Sequence, residues 1–282
     1  MRILITNDDG INAPGIAALT RATSRWIERC PGGEIREAII VAPNRNYSGM
    51  SSAVGDVFDN PSVKYKKQMI EGADNIQGYA LDAPPALCAI LGAIGSFNFQ
   101  PDLILSGINA GANVGRSVLH SGTVGAILTG AQLGLSGLAV STNWGEGVSY
   151  EPAADIAIEV LEVMLQAPQR TLMNLNVPNL PRNEIKGVKR GRISTAGIVK
   201  SAKSGTGGPL DDEGELTLRL GAATPELGDV SDEEADEDGA LIAAGYASLT
   251  PLRGPHEETD MGLSDLMHMS LSVIERHLKE TN

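Results

Sequence analysis

Short apolar runs and segments with helical periodicity alternate along the first 180 residues of the chain. The run RILIT at 2–6 is rich in β-branched residues, and residues 13–30 carry apolar side chains at helical spacing. The same pattern predicts further strands at 38–42, 101–107, 137–142 and 172–178, and further helices at 84–94, 122–134 and 152–166. Strands joined by helices pair in parallel through right-handed crossovers. The pattern therefore predicts an α/β fold of the Rossmann type, with a doubly wound, mostly parallel sheet.

Two parts of the chain depart from this alternation. Residues 53–80 alternate weakly and contain turn formers, which predicts irregular β-hairpins. The later part of the chain predicts a second hairpin system from VKRGRIS and ELTLRLG, a late strand in GYASLTPL, and a closing amphipathic helix over 261–278. We therefore expect an α/β core at 1–180, followed by a hairpin and helix elaboration at 181–282.

The charge of the chain is negative and unevenly distributed. The formal net charge of -13 argues against a protein that coats nucleic acid, which needs a basic surface to neutralise phosphates. Residues 211–238 hold twelve Asp or Glu and one Arg, whereas 186–203 hold six Lys or Arg and no acid. Such runs are usually solvated faces. The alternatives are that the basic segment gathers an anionic substrate, or that the two segments meet across subunits.

The cysteines and the apolar runs bear on location. Cys30 and Cys88 are the only cysteines, and they form no C-x-x-C pair, so a disulfide scaffold is not expected. The N-terminus lacks a basic segment followed by a long apolar run, and the longest apolar stretches are shorter than the ~20 residues of a membrane span. We therefore expect a cytoplasmic protein without a membrane segment.

Three of the predicted strands end in polar loops that contain glycine, in ITNDDG, VAPNRNYSG and LILSGINAGANVG. In open α/β sheets, ligands bind at the carboxyl ends of the strands, so these loops are expected to converge. Together they offer oxygen ligands from Asp8, Asp9, Asn44, Asn46, Ser48, Asn109 and Asn113. Carboxylate and amide oxygens favour a hard cation such as Mg²⁺, Mn²⁺ or Ca²⁺ over zinc. The alternative is that Asp8 caps the helix near Pro14 or braces the turn.

A second polar segment precedes the helix predicted at 122–134. Ser121, Gly122 and Thr123 combine hydroxyl groups with the free amides of a helix N-terminus, which is a typical phosphate site. Ser121 or Thr123 also suits a helix N-cap, and the two roles are compatible. The chain contains no P-loop motif, no G-x-G-x-x-G and no G-x-S-x-G elbow.

The motifs TNDDGINAPGI, VAPNRNYSG, SGINAGANVG and HSGTVGA, in this order, resemble the SurE family of survival-protein nucleotidases, and NLNVP and GYASLTPL resemble its later landmarks. The resemblance implies a metal-dependent phosphatase, with Mg²⁺ or Mn²⁺, that hydrolyses nucleoside 5′- or 3′-monophosphates and in some members short polyphosphate. It implies metal ligands at Asp8, Asp9, Ser48 and Asn109, and phosphate-binding residues at Asn113, Ser121, Gly122 and Thr123. It also implies a homodimer or homotetramer in which residues after 180 serve assembly.

Three positions differ from the family pattern that this resemblance brings. Leu87 stands where the family usually has an acid, Thr129 where it usually has Glu, and His120 where it often has Tyr. These changes bear on substrate range and rate. Within the implied mechanism, Asp8 or Asp9 is a candidate proton acceptor and His120 a candidate acid.

Two alternative functions follow from these differences. The first is a relative that binds nucleotide or metal without turnover, and the second is a phosphatase for another small phosphoester. For base stacking the sequence offers only Tyr47 and Trp144 as weak candidates.

Overall fold

The computed structural model of the protein describes residues 1–30, 32, 34–143, 147–195, 203–204, 218–219 and 234–255. The predicted closing helix at 261–278 and Trp144 lie outside these residues, as does most of the acidic segment 211–238.

The described strands form one large sheet and one small ribbon. The large sheet contains β1 (Arg2–Thr6), β2 (Glu37–Pro43), β3 (Tyr65–Lys67), β4 (Gln77–Leu81), β5 (Leu103–Ala110), β6 (Ser136–Thr142), β7 (Leu172–Val177), β8 (Val188–Arg190) and β11 (Ala247–Leu252). Their order is β3-β4-β2-β1-β5-β6-β7-β11-β8. Within it, the six neighbouring strands β4, β2, β1, β5, β6 and β7 are all parallel. The ribbon pairs β9 (Lys203–Ser204) with β10 (Leu218–Arg219).

Helices cover both faces of the sheet. They are α1 (Pro14–Glu28), α2 (Pro85–Ala93), a 3₁₀ helix (Gly115–His120), α3 (Gly122–Gln132), α4 (Glu151–Met164) and α5 (Asp238–Ala243). Side chains of β1 alternate between the two faces, so Ile3 and Ile5 pack in a core with α1 and α4, whereas Leu4 packs in a second core with α2 and α3. This arrangement confirms the predicted doubly wound α/β fold.

The direction of the crossovers reverses at β1. From β1 the chain passes to β2 and β4 on one side, and it later continues through β5, β6 and β7 on the other. The carboxyl ends of β1, β2 and β5 therefore meet at the switch point, where open α/β sheets bind ligands. We call this side of the sheet, formed by the carboxyl ends of the parallel strands, the carboxyl edge.

Two pairings differ from the sequence-based expectation. The hairpin expected within 53–80 is present, because β3 and β4 form an antiparallel pair. The difference is that β4 also pairs with β2, in parallel, and so extends the main sheet. The segment VKRGRIS supplies β8, which pairs with β11 and not with 218–219. The late strand β11 lies antiparallel to β7.

The sheet thus runs past residue 180. Residues Met1–Leu252 form one compact unit, which does not include the described residues 253–255. The division at 180 into a core and an assembly region stays a prediction. No helix among the described residues is long and apolar enough to span a membrane.

Candidate metal and phosphate site

Asp8 lies directly after β1 and is almost completely buried, with 3% of its surface exposed. Its Oδ1 accepts a hydrogen bond from the Thr123 hydroxyl at 2.6 Å, and its Oδ2 accepts one from the Gly122 amide at 3.1 Å. Burial raises the pKa of Asp8, and these hydrogen bonds lower it in part. Asp8 therefore binds the N-terminus of α3 and not that of α1.

The N-terminus of α3 is built for this close approach. A Cβ atom at Gly122 would lie 2.7 Å from Cβ and 2.8 Å from Oδ2 of Asp8, so only glycine fits. Ser121 is the N-cap, and its Oγ accepts the Val124 amide at 3.1 Å. The N-terminal donors of this helix thus already hold one anionic group, which is the behaviour expected of an anion site.

Asp9 is less enclosed than Asp8 and receives weaker hydrogen bonds. The Asn46 side-chain amide and the Ala110 backbone amide each donate to it at 3.4 Å, and the Ser48 side chain also bonds it. Burial raises the pKa of Asp9 to about 6, with a second contribution from the negative charge of Asp8. The pair is therefore costly in its fully ionised form.

The loop after β2 brings Ser48 to the aspartates. The Tyr47 amide donates to the Asp8 backbone carbonyl at 2.7 Å, and the Ser48 amide donates to Asn46 Oδ1 at 2.7 Å. Asn44 is exposed, and its amide bonds the Leu81 carbonyl. The structure thus joins the NDDG and NRNYSG loops as the sequence predicts, through Asn46, Tyr47 and Ser48.

Asn109 reaches the same edge through an irregularity in β5. The register of β5 against β6 shifts between Ser106 and Asn109, where the Gly107–Ile108 peptide is cis and Gly107 has φ of 141°. Such a bulge redirects the side chains that follow it. Asn109 donates to the Gly111 carbonyl at 2.6 Å, and Ala110, next to it, bonds Asp9.

Asn113 lies deeper than the other predicted ligands. Its side-chain amide donates to Ser141 Oγ at 2.9 Å, its backbone amide donates to Asn176 Oδ1 at 2.7 Å, and its carbonyl accepts from Asn174 and Asn176. None of these contacts reaches Asp8 or Asp9. Its role as a phosphate ligand stays a prediction.

The three positions that differ from the family pattern have distinct surroundings. His120 is exposed at the end of the 3₁₀ helix, and its carbonyl accepts the Ser51 amide at 3.3 Å. Leu87 is buried in the core beneath α2, and the Thr129 hydroxyl bonds the Gly125 carbonyl within α3. Of the three, His120 alone lies beside the α3 N-terminus.

Several residues near the site carry no motif that sequence reasoning could use. Burial and the negative charge of Asp9 both raise the pKa of Tyr150, so this phenol is close enough to Asp9 to be affected by its charge. Asp238 binds the Gly115 amide across 123 residues of sequence. The contacts of Asn174 and Asn176 with Asn113 had one possible signal in the sequence, because two Asn residues alternate in an otherwise apolar strand.

The donor set fits a hard divalent cation. Within the described residues no three His, Cys, Asp or Glu side chains group together, so a cation here would have Asp8 and Asp9 as its charged ligands, with neutral oxygens offered by Ser48, Asn46 and Asn109. No ion pair in the described part of the chain involves either aspartate. Magnesium typically binds through one or two carboxylates and keeps open positions for substrate and water.

Fold and site together define a Rossmann-type α/β protein with a pair of adjacent aspartates beside a helix N-terminus, as a candidate cation site. The family model for survival protein SurE matches residues 3–200. The chain therefore belongs to the SurE family, and the resemblance seen in its motifs is confirmed.

Individual relatives match over nearly the whole chain. The chain is 37% identical over 260 residues to the 5'/3'-nucleotidase SurE of Cronobacter sakazakii, which covers 89% of this chain and 90% of that protein. It is 36% identical over 255 residues to the 5'/3'-nucleotidase SurE of Serratia proteamaculans, which covers 90% of each. The crystal structure of a SurE protein from Aquifex aeolicus matches with a TM-score of 0.72 and 28% identity, over 96% of this chain and all of that one.

Proposed function

We propose that this protein is a metal-dependent nucleotidase that hydrolyses nucleoside 5′- and 3′-monophosphates to nucleoside and inorganic phosphate. The observation that carries the proposal is the adjacent Asp8 and Asp9 at the switch point, where the buried Asp8 contacts the N-terminus of α3. The relatives named 5'/3'-nucleotidase support this choice of substrate.

Asp8, Asp9, Ser48 and Asn109 would hold Mg²⁺ or Mn²⁺, with Asn46 as a further oxygen donor nearby. When bound there, the cation supplies positive charge to the phosphoryl group and acidifies a water. The pair of carboxylates suits this role, because each raises the cost of ionising the other until a positive charge lies between them.

The chain's own groups would perform the remaining steps. Ser121, Gly122 and Thr123 would bind phosphate oxygens at the positive end of α3, together with Asn113. Asp9, the more open of the two acids, would accept the proton of the attacking water as its oxygen bonds to phosphorus. The bond from phosphorus to the ribose oxygen then breaks, and His120 would give that oxygen a proton.

A phosphate-release assay over a panel of substrates tests the proposal. The panel comprises nucleoside 5′- and 3′-monophosphates, ribose 5-phosphate and a short polyphosphate, each with titrated Mn²⁺ and Mg²⁺. We expect turnover of the nucleoside monophosphates that depends on the cation. Binding of nucleotide without phosphate release would support a non-catalytic relative, and a strong preference for a phosphoester without a base would support another phosphatase.

Assembly and location belong to the same proposal. We propose a homodimer or homotetramer that assembles through residues after 180, and a cytoplasmic location. The mass of the intact protein in solution, compared with that of a chain ending after residue 252, tests the assembly. A monomeric full-length protein would contradict it.

A further inference from the structure

A cavity of about 400 Å³ lies at the carboxyl ends of β2 and β4, one strand away from the aspartate pair. Its lining includes Arg45, Tyr47, Val57, Lys64, Asp82 and Leu87. Arg45 and Tyr47 follow β2, and Asp82 follows β4, so the cavity opens at the carboxyl edge. Its volume is within the range of pockets for small ligands.

One wall of this cavity is continuous with the candidate metal site. Tyr47 lines the cavity, while its backbone amide bonds the Asp8 carbonyl at 2.7 Å. Its neighbour Ser48 bonds the carboxylate of Asp9. A ligand in the cavity therefore lies one residue along the loop from the groups that would hold the cation.

The opposite wall borders the candidate phosphate site. Pro84 lines the cavity, and the ring of the next residue, Pro85, lies 3.0 Å from the point where a Cβ at Gly122 would stand. That same point is 2.8 Å from Asp8 Oδ2. The cavity therefore adjoins the aspartate pair through Tyr47 and the N-terminus of α3 through Pro84 and Pro85.

The cavity combines an aromatic ring with polar groups in fixed positions. The Arg45 guanidinium lies 4.7 Å from the centre of the Tyr47 ring, and Arg45 Nε donates to the Tyr47 hydroxyl at 3.2 Å. That hydroxyl in turn donates to Asp82 Oδ1 at 3.4 Å. The result is a flat, polarised surface that ends in a carboxylate able to accept hydrogen bonds from a ligand.

Part of the remaining lining is apolar, and Asp56, Asn60, Ser62 and Lys64 add further polar side chains. Met50, Val54, Val57 and Val63 line the cavity, together with the buried Leu87. Leu87 is apolar, whereas an acid at this position would place a negative charge against the cavity. An aromatic surface, an apolar wall and a few hydrogen-bonding groups are the features that bind a nucleobase.

We propose that this cavity is the nucleobase site, in which Tyr47 and Arg45 form the stacking surface and Asp82 accepts a hydrogen bond from the base. The inference rests on the proposed function and deepens it, since it assigns the discrimination between a nucleotide and a simple sugar phosphate to residues outside the metal and phosphate sites. Tyr47, Arg45 and Asp82 are specificity residues in this account.

Two substitutions test the site from different directions. Tyr47→Ala removes the ring, and Ser62→Trp fills the cavity from an exposed position on its rim. The matched controls are Tyr65→Ala and Ser96→Trp, which change the same residue types at a separate pocket of about 320 Å³ beside β3. Thermal melting of each variant confirms that it is folded.

The measurement is kcat/KM for adenosine 5′-monophosphate divided by kcat/KM for ribose 5-phosphate. Loss of one stacked base contact predicts that Tyr47→Ala lowers this ratio about tenfold, mainly through KM for the nucleotide, and Ser62→Trp lowers it at least as much. The two controls are expected to keep the ratio of the wild type. An unchanged ratio in both cavity variants would overturn the inference.

A binding measurement separates this inference from the proposed function. Calorimetry gives the dissociation constant of adenosine 5′-monophosphate without requiring turnover. If the wild type releases no phosphate from either substrate, the proposed function fails, yet weaker binding by Tyr47→Ala and Ser62→Trp still supports the cavity as a base site. Equal dissociation constants in wild type and both variants would refute the site in that case as well.

Discussion

Two acidic positions in this protein differ in the hydrogen bonds that their carboxyl groups accept. Asp238, at the start of α5, is completely buried and accepts hydrogen bonds from the backbone amides of Gly115, Ser194 and Gly239 at 2.8–3.1 Å. Asp8 and Asp9 lie next to each other, and the hydrogen bonds that Asn46 and Ala110 donate to Asp9 are both 3.4 Å long. Burial raises the pKa of all three carboxyls.

Under the proposed function, this difference separates a structural acid from an acid that binds a cation. Asp238 ties the 3₁₀ helix and the residues after β8 to α5, and three amides fill its oxygens. Burial and the repulsion of the Asp8 carboxylate both raise the pKa of Asp9, and its weak hydrogen-bond donors do not offset them. The backbone donors of Asp238 satisfy its carboxylate, whereas the long hydrogen bonds of Asp9 leave its charge to be balanced by the cation that we propose.

The largest expected effect is that of Asp9→Asn on turnover. The substitution keeps the size of the side chain but removes the charge that would hold the cation and the proposed proton acceptor. We expect a loss of roughly 10³-fold or more in kcat for a nucleoside monophosphate, with an unchanged melting profile in the metal-free protein or a more stable one. Phosphate release and thermal melting are the measurements.

The control for this variant is Asp59→Asn, which makes the same change in an exposed turn that contributes only a backbone bond. It should retain the turnover of the wild type. Near wild-type turnover by Asp9→Asn itself would remove the aspartate pair from the mechanism and leave it as a second structural position like Asp238.

Removal and return of metal should give the next effect. EDTA is expected to silence the enzyme, Mn²⁺ or Mg²⁺ to restore it, and Zn²⁺ to do so poorly, because the ligands are oxygens. At a concentration of 100 Kd, the returning ion should also stabilise the wild type by about 2.7 kcal/mol, as bound ligands do. The same titration should not stabilise Asp9→Asn, and equal stabilisation of both proteins would place the ion elsewhere.

Much of the site could be predicted from local sequence, because its parts are strand ends and a helix start. RILIT followed by NDDG, and SGTV before an apolar helix, both have local signatures, and the structure brings Asp8 against Gly122 and Thr123. Parallel pairing then places loops from distant parts of the chain at one edge, as with Asp9 and Asn46. The individual ligand and phosphate roles of these residues stay predictions.

What could not be predicted depends on contacts between distant residues. The parallel pairing of β4 with β2 has no helix in its crossover, so the usual pattern of a βαβ unit is missing from 44–76. The bond from Gly115 to Asp238 joins positions 123 residues apart, and an acid among many acids at 211–238 has no local mark. The Arg45, Tyr47 and Asp82 series likewise depends on which strand lies beside β2.

A smaller effect is expected in the pH dependence of stability of the metal-free protein. The pKa of Asp9 is about 6 when folded and has an ordinary value of 3.8, so the folded state binds the proton more tightly. The free energy of unfolding should therefore fall as the pH rises from about 4 to about 6, by about 2 kcal/mol from Asp9 after solvent screening. Urea unfolding in EDTA, across this pH range, measures it.

The informative quantity is the difference between wild type and Asp9→Asn, because other carboxylates titrate in the same range. That difference should change in favour of the variant as the pH rises, and added Mn²⁺ should reverse the trend, since the cation binds the ionised pair. A difference that is constant with pH would mean that Asp9 meets no unusual electrostatic cost.

The smallest expected effect is that of Asp238→Asn, and it bears most directly on the contrast between the two positions. The amide nitrogen would face a backbone donor, most directly the Gly115 amide at 2.9 Å, so one buried hydrogen bond is lost and a donor is left unpaired. We expect the free energy of unfolding to fall by about 1–3 kcal/mol, with turnover reduced less than tenfold. Asp236→Asn, which affects an exposed ion pair with Arg192, is the matched control and should lower the free energy of unfolding less than Asp238→Asn does. If Asp238→Asn kept its stability but lost turnover as Asp9→Asn does, Asp238 would act in the reaction. Hydrogen bonds from backbone amides to a buried carboxylate would then not identify it as a purely structural acid.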